Sequence, residues 1–161
     1  MDRAHEALRR IFPGSTGDSI VTVLLTRDEV ETLRSGKHQQ WDADSLVVLY
    51  PIPRNDTGLA VIDNVRGKDQ MITYLVAITP DLVVKDLEII AYREPYGGEV
   101  RNKSWQAQFS GKTVSDPLRP GRDIMNITGA TISVRAVTFG VRKILATLTL
   151  LRQRLSQEVA R

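Results

Sequence analysis

The chain has 161 residues, of which 42% are apolar and 25% charged, with a net charge of +3. This is the profile of a globular chain long enough to bury a core. Cysteine is absent and histidine occurs twice, which excludes disulfides, iron–sulfur centres and thiol catalysis and leaves metal or Ser-His-Asp chemistry poorly supplied. The lack of like-charge blocks and an aromatic content of 6% argue against nucleic acid as a partner.

In chain order, Asp2–Ile11 carries Ala4, Ala7, Leu8 and Ile11 at helical spacing, and Pro13-Gly14 stops it. This N-terminus lacks the apolar core of a secretory leader. Ser19–Leu25 is β-branched and strand-like. Thr26 and Glu29 form the pattern of a capping box, opening a helix through Leu33 that ends near Gly36. A polar loop with Trp41 follows, over 37–44.

Strands are predicted at Leu46–Tyr50, Leu59–Val65, Met71–Ile78 and Leu82–Tyr92. Turn residues separate them at 55–58, 66–69 and 79–81. Connections this short favour antiparallel neighbours. Arg93–Asn102 reads as a loop, Ser104–Phe109 as a short helix and Gly111–Asp123 as a second loop. Beyond Ser133, taken as the N-cap, Val134, Val137, Val141, Ile144, Leu145, Leu148 and Leu151 form one apolar stripe. This final helix is expected to reach about Gln153 or further. Strands blocked between helices predict an α+β fold. The expectation is one domain over 1–161: a mostly antiparallel twisted sheet, flanking helices and a long C-terminal helix. No stretch reaches the ~20 apolar residues of a membrane span.

Two segments invite a ligand. Thr128-Gly129-Ala130-Thr131 lies at the mouth of the last helix, where unpaired N–H groups and the helix dipole favour a phosphate. An ordinary capped helix would read the same way. Glu94-Pro95-Tyr96-Gly97-Gly98 has a backbone that a flat ligand can approach closely, and a plain turn is the competing reading. Ser110-Gly111-Lys112-Thr113 ends like a P-loop, but Gln106 stands where the first glycine is needed. His5 and His38 sit in polar contexts and are expected to be solvated. Trp105 and Phe109 are expected to be core anchors.

Together, Gly121-Arg122-Asp123-Ile124, Ile127-Thr128-Gly129-Ala130-Thr131-Ile132-Ser133, Arg135-Ala136-Val137 and Gly140-Val141-Arg142 resemble the FMN-binding domain family. That domain occurs in the C subunit of sodium-translocating NADH:quinone reductase and the G subunit of the Rnf complex. The Glu94–Gly98 loop and the stretch from Trp105 to Lys112 stand in the expected order upstream. The resemblance implies FMN as cofactor, joined through its phosphate to Thr131 by a dedicated flavin transferase. It places Thr128, Gly129, Ala130, Ile132 and Ser133 along the phosphate and ribityl chain, and Glu94, Gly97 and Gly98 near the flavin ring. It implies no catalytic residue and no metal, and an electron carrier more than a stand-alone enzyme. It implies membrane or extracytoplasmic redox partners and an extracytoplasmic location, with the leader or anchor absent from this chain. One position departs from the pattern. Met125 stands where the family usually carries Asp, part of what the transferase recognises, and Asp123 lies two residues earlier. The alternatives are a module of the same fold holding FMN non-covalently, a structural domain without flavin, and a flavin reductase, against which the absence of a G-x-G-x-x-G fingerprint argues.

Overall fold

The computed structural model describes residues 1–35, 44–52 and 58–159. Gly36, His38, Trp41 and the turn residues Asn55, Asp56 and Thr57 lie outside the described residues. Alternating apolar residues produce five strands: β1 (Gly17–Leu24), β2 (Ser45–Ile52), β3 (Leu59–Arg66), β4 (Met71–Ile78) and β5 (Val84–Ala91). They pair in sequence order, and every pairing is antiparallel, as the short connections require. The fold is α+β.

Each face of the sheet is covered by a helix. Helix α1 (Asp2–Ile11) buries Ala4, Ala7, Leu8 and Ile11 against Leu49, Ala60, Leu75 and Ala77. The long helix α4 (Thr131–Val159) lies on the opposite face, where Val134, Val137, Val141, Ile144 and Leu148 meet Val48, Val61, Tyr74 and Val76. Each of those α4 side chains is fully buried, which contributes about 1.5–3 kcal/mol apiece. Gly140 lets the two layers close, because a methyl group there would overlap the Tyr74 hydroxyl. The close fit offsets the ~1 kcal/mol that glycine costs inside a helix.

Helix α2 (Arg27–Ser35) starts as expected. The Thr26 N–H donates to Glu29 Oε2 at 2.8 Å, and the Glu29 N–H donates to Thr26 Oγ1 at 3.2 Å. Trp105, on the short helix α3 (Lys103–Gln106), packs edge-on against Phe109 with ring centroids 5.2 Å apart.

Three expectations need correction. Strand β5 begins at Val84 rather than Leu82, because Leu82 takes φ 59° and donates its N–H to the Thr79 carbonyl, extending the turn. His5 is not freely solvated, since its Nδ1 lies 2.7 Å from the Asp18 carboxylate and ties α1 to β1. Helix α4 begins at Thr131, two residues before the residue expected to cap it. Ser133 lies inside the first turn, buried, with its hydroxyl engaged elsewhere.

Candidate functional site

The approach to α4 is pinned from both sides. The Met125 N–H donates to Gln108 Oε1 at 2.7 Å, and Trp105 Nε1 donates to the Met125 carbonyl at 2.9 Å. The chain then turns, the Ala130 N–H reaching back to the Ile127 carbonyl at 3.0 Å. Gly129 carries φ 85° in that turn, a left-handed conformation that glycine adopts without a steric penalty. The first residue of α4 with its N–H on a backbone carbonyl is Val134, which donates to Ala130. The N–H groups of Thr131, Ile132 and Ser133 are the orphan donors of a helix start.

Tyr92, at the end of β5, fixes what faces this helix start. Its hydroxyl donates to the Tyr96 carbonyl and lies 2.9 Å from Ser133 Oγ. The 93–97 loop is thereby held against the first turn of α4. Gly97, with φ 78°, is the point of closest approach. A methyl group there would sit 2.6 Å from the Tyr92 hydroxyl and 3.0 Å from Ser133 Oγ.

Between loop and helix lies a cleft of about 320 Å³, lined by Glu94, Pro95, Tyr96 and Gly97, by Gly129 through Ser133, and by Lys68 and Asp69 from the β3–β4 turn. The fold thus brings Thr131, Gly129, Ala130, Ile132, Ser133, Glu94 and Gly97 to one place. Thr128 is exposed on the turn and does not line the cleft. Gly98 also stands outside it, opening a 3₁₀ turn where it packs beneath Arg101. A methyl group on Gly129 would meet nothing within 4 Å, so the backbone there is open to a ligand. The Thr131 hydroxyl accepts a hydrogen bond from Asn126 Nδ2 at 3.4 Å. Tyr96 and Ile132 expose 84% and 51% of their surface at the rim, an apolar border that a bound planar group would cover.

Glu94 has a structural task. Its Oε1 accepts the N–H groups of Asp69 and Gln70 at 2.6 and 2.8 Å. The Gln70 and Asp69 donors hold its carboxyl below the usual glutamate range. The stabilisation is present above that range and is lost as pH falls through the lowered folded-state value. In Glu94→Gln, which keeps an acceptor but loses the charge, Tm at pH 7 is expected to fall slightly below wild type. The gap should close as acid protonates Glu94, and a gap that stays constant from neutral pH down to acid would contradict this role.

Asp123 is equally committed. Burial raises its pKa, but the Arg119 and Leu118 N–H groups and the Lys112 ammonium outweigh it and hold the carboxyl below the ordinary aspartate range. It therefore does not stand in for an acidic residue at 125. The Met125 side chain points outward, 70% exposed. Lys68, Asp69, Tyr92 and Asn126 escaped the sequence reading. Only Lys68 and Asp69 carried any signal, as charged residues in a turn.

The donor set suits an anion: three unpaired N–H groups, a glycine with open space before it, one lysine, and a threonine hydroxyl. Among the described residues no cluster of His, Asp and Glu could hold a metal, and no helix is long and apolar enough to cross a membrane.

Comparison with known proteins agrees. Residues 67–146 match the family model of the FMN-binding domain. Over 91 residues the chain is 34% identical to the G subunit of the proton-translocating ferredoxin:NAD(+) oxidoreductase complex of Clostridium ljungdahlii, covering 52% of this chain and 49% of the relative. The chain thus matches about half the length of that relative. The crystal structure of NqrC from Shewanella oneidensis shares the fold, with a TM-score of 0.61 over 92% of this chain and 88% of the other, at 14% identity. Every residue that lines the cleft falls inside the matched segment, and through that segment the chain belongs to the FMN-binding domain family, with FMN as its cofactor.

Proposed function

We propose that the protein is an electron-transfer domain whose FMN is joined by its phosphate to Thr131 and which relays electrons between redox partners. The observation that carries this reading is the position of the Thr131 hydroxyl: at the first residue of α4, inside a cleft, among unpaired N–H groups. When bound, FMN supplies one- and two-electron redox chemistry.

The chain's own residues bind and orient. The N–H groups of Thr131, Ile132 and Ser133 and the dipole of α4 offset phosphate charge, with Lys68 on the facing wall. Asn126 donates to Thr131 Oγ1 and so leaves the hydroxyl proton free to depart when the oxygen bonds phosphorus. Net attachment adds FMN less one water. Tyr96 and Ile132 offer apolar surface beside the site. No side chain in the cleft needs to act as acid, base or nucleophile towards a further substrate.

Loading falls to a flavin transferase, and the domain works at the extracytoplasmic face of the membrane beside redox partner proteins. The likeness to a component of a ferredoxin:NAD(+) oxidoreductase complex supports partners of that kind. A second reading, FMN held without a bond, draws on Met125 in place of an acidic residue. The two part in one experiment. Protein made with a flavin transferase is acid-precipitated, and its mass and colour are read. A yellow pellet with the mass of FMN less water is expected. A colourless pellet under a yellow supernatant would leave affinity without the bond, and colour in neither would remove the flavin reading altogether.

A further inference from the structure

A second and larger concavity, about 580 Å³, adjoins the flavin cleft, and the two share Ile132 as a wall. Its floor is the face of α4 on which Ile132, Arg135, Phe139 and Arg142 recur at helical spacing. Arg66, from the end of β3, and Arg119, from the loop before α4, close it from the sides. Among the described residues none of these four guanidinium groups has a carboxylate partner. Asp63, the nearby acid, is committed to Lys143 and Tyr74.

This arrangement is costly in two independent ways. The first is electrostatic. Arg142 is partly buried, its Nε has no hydrogen-bond partner, and burial followed by the charge of Arg119 pushes its pKa down. Of the four guanidinium groups only Arg142, which lies over the Phe139 ring, is partly withdrawn from water, and its charge and those of the three exposed arginines beside it repel one another. The second is conformational. Leu118, which also lines the groove, is buried at φ 47°, a left-handed backbone that is unfavourable for a residue with a Cβ. That conformation, held by the Asp123 carboxylate on the Leu118 and Arg119 N–H groups, sets where Arg119 stands. The positive charge thus gathers in one groove, where an anion would offset it, and the Leu118 backbone fixes the Arg119 side of that groove.

We propose that this groove binds a phosphoryl-bearing anion, either a free diphosphate or phosphoester or the headgroup of a phospholipid. Guanidinium groups pair with phosphate in bidentate fashion. A terminal phosphoryl group carries close to two charges, where a carboxylate or a phosphodiester headgroup carries one, so a diphosphate comes nearest to balancing the four arginines, and a headgroup would engage fewer of them. Thr131, the attachment point in the function proposed above, lines the other cleft and not this groove.

The test uses the full chain without FMN, so its outcome is separate from the flavin reading. Pyrophosphate is titrated while backbone amide signals are followed by NMR. Saturable shifts are expected around Arg66, Arg119, Arg135 and Arg142. In Arg119→Gln/Arg135→Gln, two exposed positions whose loss leaves the fold intact, affinity is expected to fall about tenfold or more. Vesicles containing phosphatidylglycerol form the second arm. Binding of pyrophosphate alone identifies a free ligand, and arginine-dependent vesicle binding identifies a headgroup. The proposal is overturned if neither binds, if shifts are confined to Gly129–Ser133, if the double variant binds as well as wild type, or if hexaglutamate binds while both phosphate probes do not, which would mark an acidic protein surface instead.

Discussion

In Thr131→Val the acid-precipitated pellet is expected to be colourless, and the mass that of the bare chain, under conditions where wild type gains FMN less one water. Valine keeps the shape and the β-branched rotamer preference of threonine, so α4 should start at the same residue and the cleft should keep its form. Only the oxygen is lost, and with it the atom that would bond phosphorus. The effect is therefore complete rather than graded. Thr131→Ser, which restores the oxygen, should load. A companion variant separates attachment from recognition: Met125→Asp returns an acidic side chain to an outward-facing position whose backbone is held by Gln108 and Trp105, and it should load faster than wild type. Undiminished covalent flavin in Thr131→Val would move the bond to another hydroxyl. Loading of wild type with no response to Met125→Asp would show that the transferase reads other residues here.

Periodicity carried the elements because burial enforced it. The stripe Ala4, Ala7, Leu8, Ile11 became one face of α1, and the capping box at Thr26 and Glu29 formed both of its bonds. Where a residue had competing uses, its type misled. Ser133 is a better cap by propensity than Ala130, yet its hydroxyl is taken by Tyr92 across 41 positions of sequence. Glu94, which the resemblance places near the flavin ring, lines the cleft and also binds the β3–β4 turn, a contact its type does not announce, because the antiparallel pairing that ends at Arg66 and Met71 brings that turn within reach. Lys68 and Asp69 enter the cleft by the same route. The basic groove divides similarly. Arg135 and Arg142 sit seven residues apart, visibly on one helical face, whereas Arg66 and Arg119 join them only through the packing of β3 and the 111–123 loop against α4. Local pattern thus located the helix mouth. The groups that surround it depend on register and on long-range contacts, which leave no mark in any one segment.

The largest expected loss of stability comes from Lys143→Met. Lys143 is buried on α4, its Nζ 2.9 Å from Asp63 Oδ2, and the same oxygen accepts the Tyr74 hydroxyl at 2.8 Å. Burial, then the charge of Asp63 and its hydrogen bond, push the Tyr74 hydroxyl pKa up, so it stays protonated and remains a donor. One carboxylate oxygen thus joins β3, β4 and α4. Methionine keeps the apolar stem of lysine but removes the charge, leaving Asp63 partly buried with a neutral partner. Breaking a buried pair from one side costs about 3–5 kcal/mol, and the residual exposure of Asp63, 18% of its side chain, favours the lower end. In a chain of this size that is a fall in Tm of about 10 °C, and urea unfolding should show a lower midpoint at unchanged slope. Asp63→Asn/Lys143→Met should recover part of the loss, because the stranded charge is gone while an acceptor for Tyr74 remains. If the double variant is as unstable as the two single losses added together, the pair contributes through packing alone and the electrostatic account of this junction fails.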